Sequence, residues 1–166
     1  MKFKSGCNFS PAHTSNYEGA FMTKFILAIA LATTPTFAAE NLKLNGHLDY
    51  SSDSQDGALI TGDHLEEGAA TDKPTYVLIY GEGCYNSKRQ ARRTVELYEK
   101  YKGKVQFAVV DLDKPRSPAQ EDLVKKFYKG YIPHVTVLNR EGKIAYNNSG
   151  EVDAAEISKV LDKTLK

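Results

Sequence analysis

The chain has 166 residues, of which 22 are Lys or Arg and 21 are Asp or Glu, and its net charge of +1 gives no electrostatic basis for binding nucleic acid. With 41% apolar and 26% charged residues and no run of eighteen apolar positions, it reads as a globular domain rather than a disordered or membrane-spanning chain. Two cysteines, Cys7 and Cys84, are too few for a four-thiolate zinc site or for the disulfide framework of a small secreted scaffold.

The first 38 residues differ in composition from the rest. Five of the seven Phe lie before Ala39, where the charged residues are Lys2, Lys4, Glu18 and Lys24. From Met22 a short basic start leads into the apolar run Phe25–Ala32, and Thr33–Ala38 ends in small residues. This is the pattern of a secretory signal peptide over 22–38, with cleavage expected after Ala38 because Thr36 and Ala38 place small residues at the two positions that matter. An uncleaved anchor is the alternative, but eight apolar residues fall well short of the ~20 that span a bilayer. Residues 1–21 precede a good start methionine and are taken as an upstream extension from a misassigned start. Removing these 38 residues takes away three basic and one acidic side chain, leaving 128 residues with 19 basic against 20 acidic charges and one cysteine, Cys84.

Residues 39–62 mix Gly, Ser and Asp with weak apolar patterns at Leu42–Leu44 and Ala58–Ile60, and are expected to form a loop-rich lead-in. A globular domain is expected over 63–166. Asp63, followed by Glu66 and Glu67, suits the cap and first turn of a short helix running to Ala70. Thr75–Tyr80 is a continuous β-branched and aromatic run, as for a central strand buried on both faces. Gly81–Gly83 breaks it, and Ala91, Val95, Tyr98 and Tyr101 recur at helical spacing as far as Gly103, which predicts a helix beginning at Cys84. Val105–Leu112 reads as a second buried strand, and Ser117-Pro118 opens a helix with Ser as cap and Pro at its first position. Val135–Leu138 and Lys143–Tyr146 flank Asn139–Gly142 as a hairpin, and Val152–Leu165 carries Ile157, Val160, Leu161 and Leu165 on one helical stripe. The order β-α-β-α-β-β-α predicts an α/β fold with a mixed central sheet and helices on both faces.

That order, with Cys84-Tyr85-Asn86-Ser87-Lys88 where the first strand turns into its helix and Tyr131-Ile132-Pro133 opening the hairpin, resembles the thioredoxin-like fold, in a secreted, bacterial-type member. The resemblance covers roughly 63–166, including Lys73-Pro74 before the strand and Gly142 and Gly150 around the last one. In the family the turn reads Trp-Cys-x-x-Cys; here Gly83 stands in the aromatic position and Ser87 in that of the second cysteine, giving a single-cysteine Cys-x-x-Ser motif. The strand position that often carries a buried acid is Leu78, which cannot move a proton. The resemblance implies that Ile132, ahead of a cis Pro133, pairs with an extended substrate, while Tyr85 and Asn86 rim the thiol and Ser87 polarises it.

A thiol at a helix start faces unpaired N–H groups and the positive end of the dipole, which favour a nucleophilic thiolate. Lys88, Arg89, Arg92 and Arg93 either add positive charge there or form a solvated helix face. Two functions stay open: an extracytoplasmic protein, periplasmic or secreted, taking part in thiol–disulfide exchange through mixed disulfides on Cys84, or a redox-inactive binding or assembly module on the same fold. For the first, the expected partner is a cysteine-containing polypeptide or a small thiol such as glutathione, with no cofactor, no nucleic acid, no membrane span after cleavage, and a monomeric protein. His47, His64 and His134 show no ligand spacing, so no metal is expected. Asp111 and Asp113 read as solvated loop acids, and Asn147-Asn148-Ser149 as a formal glycosylation sequon that a turn explains equally well.

Overall fold

The computed structural model describes residues 38–55 and 57–166; the expected upstream extension, and the signal segment apart from Ala38, lie outside them. A four-stranded mixed sheet is built on Thr75–Tyr80 (β3), which pairs in parallel with Gln106–Asp111 (β4) and antiparallel with His134–Leu138 (β5). Ile144–Ser149 (β6) adds antiparallel to β5, so the order is β4-β3-β5-β6. All six side chains of β3 are buried, and the two-residue alternation of a strand divides them between two cores. Tyr76, Leu78 and Tyr80 pack with the helices Tyr85–Tyr101 (α1) and Ala154–Thr164 (α3), through Ala91, Leu97, Ile157 and Leu161. Val77 and Ile79 pack on the other face with Leu123 of Pro118–Phe127 (α2). The sheet is thus covered on both faces, as the sequence predicts.

The helix starts follow the sequence closely. Cys84 is the N-cap of α1, and Ser117 caps α2 with a complete capping box: its hydroxyl accepts the Gln120 N–H at 3.1 Å while the Gln120 side chain accepts the Ser117 N–H at 3.0 Å.

The N-terminal region departs from expectation. Residues 39–62 are not simply loop: Glu40–Leu44 (β1) and Ile60–Asp63 (β2) pair antiparallel as a separate two-stranded sheet. Leu42, Leu59 and Ile60 are buried in the same core as α1 and α3. No helix forms over 63–70; Asp63 ends β2, and the following residues are turns. The reason is that tertiary burial of three apolar side chains outweighs local polar composition, and the strand they require consumes the proposed helix cap. Since Leu42 is 2% exposed, Leu42→Ala is expected to lower the unfolding free energy by about 2–4 kcal/mol. Urea titration checks this, and a loss near zero would mean that the hairpin is not part of the cooperative fold.

Candidate functional site

The C-terminal end of β3 is where the chemistry collects. Register pairs Tyr80 with Asp111 on one side and Ile79 with His134 on the other, so the chain leaving β3 at Gly81 runs between the loop after β4 and the residues before β5. The peptide between Ile132 and Pro133 is cis. A Cβ on Gly81 would stand 2.7 Å from Ile132 Cδ1 and 3.3 Å from Asp113 Oδ2, so glycine there allows both flanks to close on the loop. Cys84 follows as a free, half-buried thiol, with no side-chain capping bond.

Around this thiol the expected residues separate. Tyr85 is half-buried beneath the Arg89 guanidinium, 5.1 Å from its ring centroid, and Asn86 is exposed, its Oδ1 accepting from Arg89 at 3.2 Å. Ile132 lies against the Gly81 turn, while Tyr131 is 74% exposed. Ser87 is fully buried, and its Oγ has no hydrogen-bond partner. The expected hydroxyl bond to the Cys84 sulfur is therefore not made. At the third helical position the Ser87 side chain points into the body of the protein, where it is packed rather than presented. Leu78 is likewise fully buried in the apolar core.

The basic residues neither form a cationic collar nor a plain solvated face. Lys88 is fully buried, with Nζ donating to the Asp49 carbonyl at 2.5 Å and to Ser54 Oγ at 2.6 Å. Arg89 and Arg93 both bind the carboxylate of Glu151, and Arg92 lies over the Tyr50 ring at 5.4 Å. Each cation is directed to a partner on another segment.

Asp111, expected as a solvated acid, is buried at the end of β4. Its Oδ2 accepts from the Tyr80 hydroxyl at 3.1 Å and its Oδ1 from the Asp113 N–H at 3.0 Å. Glu82, two residues before Cys84, is also buried; it pairs with Lys114 at 3.0 Å, and its N–H donates to Asp113 at 2.8 Å. Loss of water, and then the neighbouring Glu82 carboxylate, push the Asp111 carboxyl up to about 6, against the hydrogen bonds that favour its charge. No local pattern in the sequence marks these acids, because Asp111 is buried by the β3–β4 register and Glu82 by contacts of its loop with the residues after β4.

The histidines have structural surroundings. His134 is buried between β5 and β6, with Nδ1 2.8 Å from Ser149 Oγ and Nε2 2.7 Å from Asn147 Oδ1. Because Asn147 Oδ1 is an acceptor, Nε2 carries the proton and Nδ1 accepts from Ser149. Desolvation holds this imidazole below its usual range, and Asn147 of the sequon is committed to the network. The sequence gives His64 no neighbours at metal-ligand spacing, yet the turn after β2 brings its ligand atom and those of Glu66 and Glu67 within 4.8 Å of one another. Acidic groups also gather in turns without an ion, so proximity alone does not make this cluster a metal site.

The family follows from the whole arrangement. A family model described as a thioredoxin-like domain matches residues 62–165. The chain belongs to the thioredoxin-like family. It is 29% identical over 124 residues to the chloroplastic thioredoxin-like protein HCF164 of Arabidopsis thaliana, covering 74% of this chain and 44% of that protein, so it spans less than half the length of that relative. A solved structure of a malarial protein is similar at a TM-score of 0.48 and 19% identity, over 57% of this chain and the whole of the other.

The raised Asp111 carboxyl has a definite consequence for stability. Between an unfolded value near 3.8 and a folded value of about 6, the native state holds more protons than the unfolded state, so stability contributed by this group falls as pH rises through that window. Asp111→Asn is expected to remove the decline, gaining on the wild type progressively from pH 4 to pH 7. Urea midpoints across that range check the sign. A wild type that gains on the variant as pH rises would show that Asp111 is stabilised as an anion.

Proposed function

We propose that this protein takes part in thiol–disulfide exchange outside the cytoplasm, in the periplasm or after secretion, through a single cysteine, Cys84, that forms mixed disulfides. The observation that carries this reading is a free, half-buried thiol at the N-cap of α1, at the end of the loop leaving the central strand, whose Gly81 lies against Ile132 of the cis Ile132–Pro133 segment. Orphan N–H groups of a helix's first turn favour an anion at that place. The signal-like pattern over 22–38 supports the location.

In the proposed step the Cys84 thiolate attacks one sulfur of a client disulfide. A bond forms between the two sulfurs, the client S–S bond breaks, and the second client sulfur leaves as a thiolate that takes a proton from water. Ser87 cannot resolve the adduct, so a thiol from outside, on a polypeptide or a small molecule such as glutathione, attacks the client sulfur; a new S–S bond joins it to the client, the bond to Cys84 breaks, and Cys84 leaves as the thiolate. No net oxidation occurs and no cofactor enters. Tyr85, Asn86 and Ile132 are proposed to border the client, with a monomer as the working form.

A binding or assembly module is the second reading, and one observation favours it: Ser87 Oγ is buried without a partner, so the side chain in the resolving position supplies neither a thiol nor a bond to the sulfur. Incubation with glutathione disulfide separates the two. Peptide mass is expected to show a glutathionyl adduct on the peptide that carries Cys84, reversed by dithiothreitol and absent from that peptide in Cys84→Ser. A Cys84 that takes up no adduct from small or polypeptide disulfides overturns the exchange reading in favour of the module.

Reintroducing the missing thiol tests the placement of the motif. Residues i and i+3 at a helix start have Cβ atoms ~5–6 Å apart, and a small adjustment of the first turn reaches the ~3.5–4.5 Å a disulfide needs. Ser87→Cys is expected to close an internal disulfide on oxidation, seen as loss of two free thiols, and to gain dithiothreitol-dependent reductase activity that the wild type lacks. Failure to form that bond would mean that Cys84 and Ser87 do not share the active-site turn.

A further inference from the structure

Seven residues from the connection between β1 and β2, Asp49–Gln55, lie as a strap across the start of α1 and touch the chain on both sides of Cys84. Before the cysteine, Gln55 Cβ stands 3.6 Å from where a Cβ on Gly83 would be. Immediately after it, the Tyr85 N–H donates to Asp53 Oδ1 at 2.6 Å. One turn further on, the buried Lys88 amine donates to the Asp49 carbonyl and Ser54 Oγ, and Arg92 lies over Tyr50. The strap is also braced internally, since the Asp49 carboxylate accepts from the Ser51 N–H and from the Ser51 and Ser52 hydroxyls at 2.6–2.8 Å. Those bonds hold the Asp49 carboxyl down to about 2.

The first turn of α1 contains no acid of its own, so Asp53 brings the carboxylate that this helix start attracts. It occupies the amide of the residue following Cys84. A thiolate on Cys84 would be a second anion at the same helix end, repelled by the first and deprived of one of the donors that favour it. The cations on α1 do not compensate, because Lys88 is turned into the strap while Arg89 and Arg93 are held by Glu151. On the other flank, Glu82 and Asp113 add carboxylates, with Lys114 paired to Glu82.

We propose that Asp53 is a positioning residue that competes with the Cys84 thiolate for the start of α1, holding the thiol in its less nucleophilic state while the strap is docked. A client that displaces the strap removes this competitor and raises the reactivity of Cys84 as it arrives. The proposal rests on Cys84 being the exchanging thiol.

The test is the rate of alkylation of Cys84 by iodoacetamide, a neutral reagent, in the full chain at neutral pH, followed by peptide mass so that Cys7 is counted separately. Asp53→Asn keeps the side-chain shape and an oxygen for the Tyr85 amide but removes the charge. It is expected to react about two- to fivefold faster at low ionic strength, the size of a single charge acting at a helix end, and the excess is expected to shrink in ~1 M salt. A shielding role alone would not give that salt dependence, so an equal excess at both salt concentrations overturns the competition, as does a rate matching the wild type. Asp53 is exposed, and an unchanged thermal melt shows that the variant is folded. Because alkylation needs no client, faster alkylation without glutathionyl adducts would leave this inference standing and remove the exchange reading. Adduct formation with unchanged alkylation would do the reverse.

Discussion

Burial of β3 on both faces is the constraint from which the site follows. Six consecutive side chains leave water there, each apolar one worth about 1.5–3 kcal/mol, and strand alternation commits them to two cores at once. The tyrosines make this costly unless their hydroxyls are satisfied. Tyr76 recruits Thr94 of α1 at 2.8 Å, and Tyr80 donates to Asp111 while accepting the Leu59 N–H at 3.1 Å. The second contact reaches into the N-terminal hairpin, so one phenol joins the central strand, the end of β4 and the lead-in. Burial pushes both phenols well above their ordinary range, which keeps them neutral donors at any physiological pH.

From that fixed strand the loop Gly81–Gly83 leaves in one direction, and the electrostatics of the site follow from what flanks it. Carboxylates close in on both sides, with Asp113 against the loop that itself carries Glu82, and Asp53 over the helix start. The basic side chains nearby serve tertiary contacts instead. A salt bridge such as Arg93 to Glu151 is partly exposed and contributes little energy by itself. It does fix where the positive charge lies, and that place is the start of α3 rather than the thiol.

The sequence makes the sheet and helices of this domain legible because their signals are local and strong. A six-residue β-branched and aromatic run, a Ser-Pro helix start and a glycine-bounded hairpin each carry their own physical cause. The position of Cys84 at a helix start is legible for the same reason. What escapes is set by contacts between distant residues. Leu42 and Ile60 look like isolated apolar residues in polar loop, and only their joint burial against α1 makes a hairpin of them. Asp53 is one of several Asp and Ser residues in a row, with nothing local to distinguish it from its neighbours until the chain returns to Tyr85. Lys88 presents the same difficulty in reverse, a lysine at a surface-like position in the sequence that becomes buried because a carbonyl and a hydroxyl await it. Asp111 is hidden by register, since its burial follows from its pairing with Tyr80 across β3 and β4.

A site with one thiol places the control of exchange at a different step from a site with two. With an internal second thiol, escape from a mixed disulfide is intramolecular and its rate is set by the protein. Here Ser87 is packed away and Leu78 offers no acid, so in the proposed exchange the adduct lasts as long as an external thiol takes to reach the sulfur. Access then governs lifetime as well as formation. Asp53 of the strap holds the amide next to that sulfur, so in the proposed exchange a client that displaces the strap changes access to Cys84 together with its charge environment.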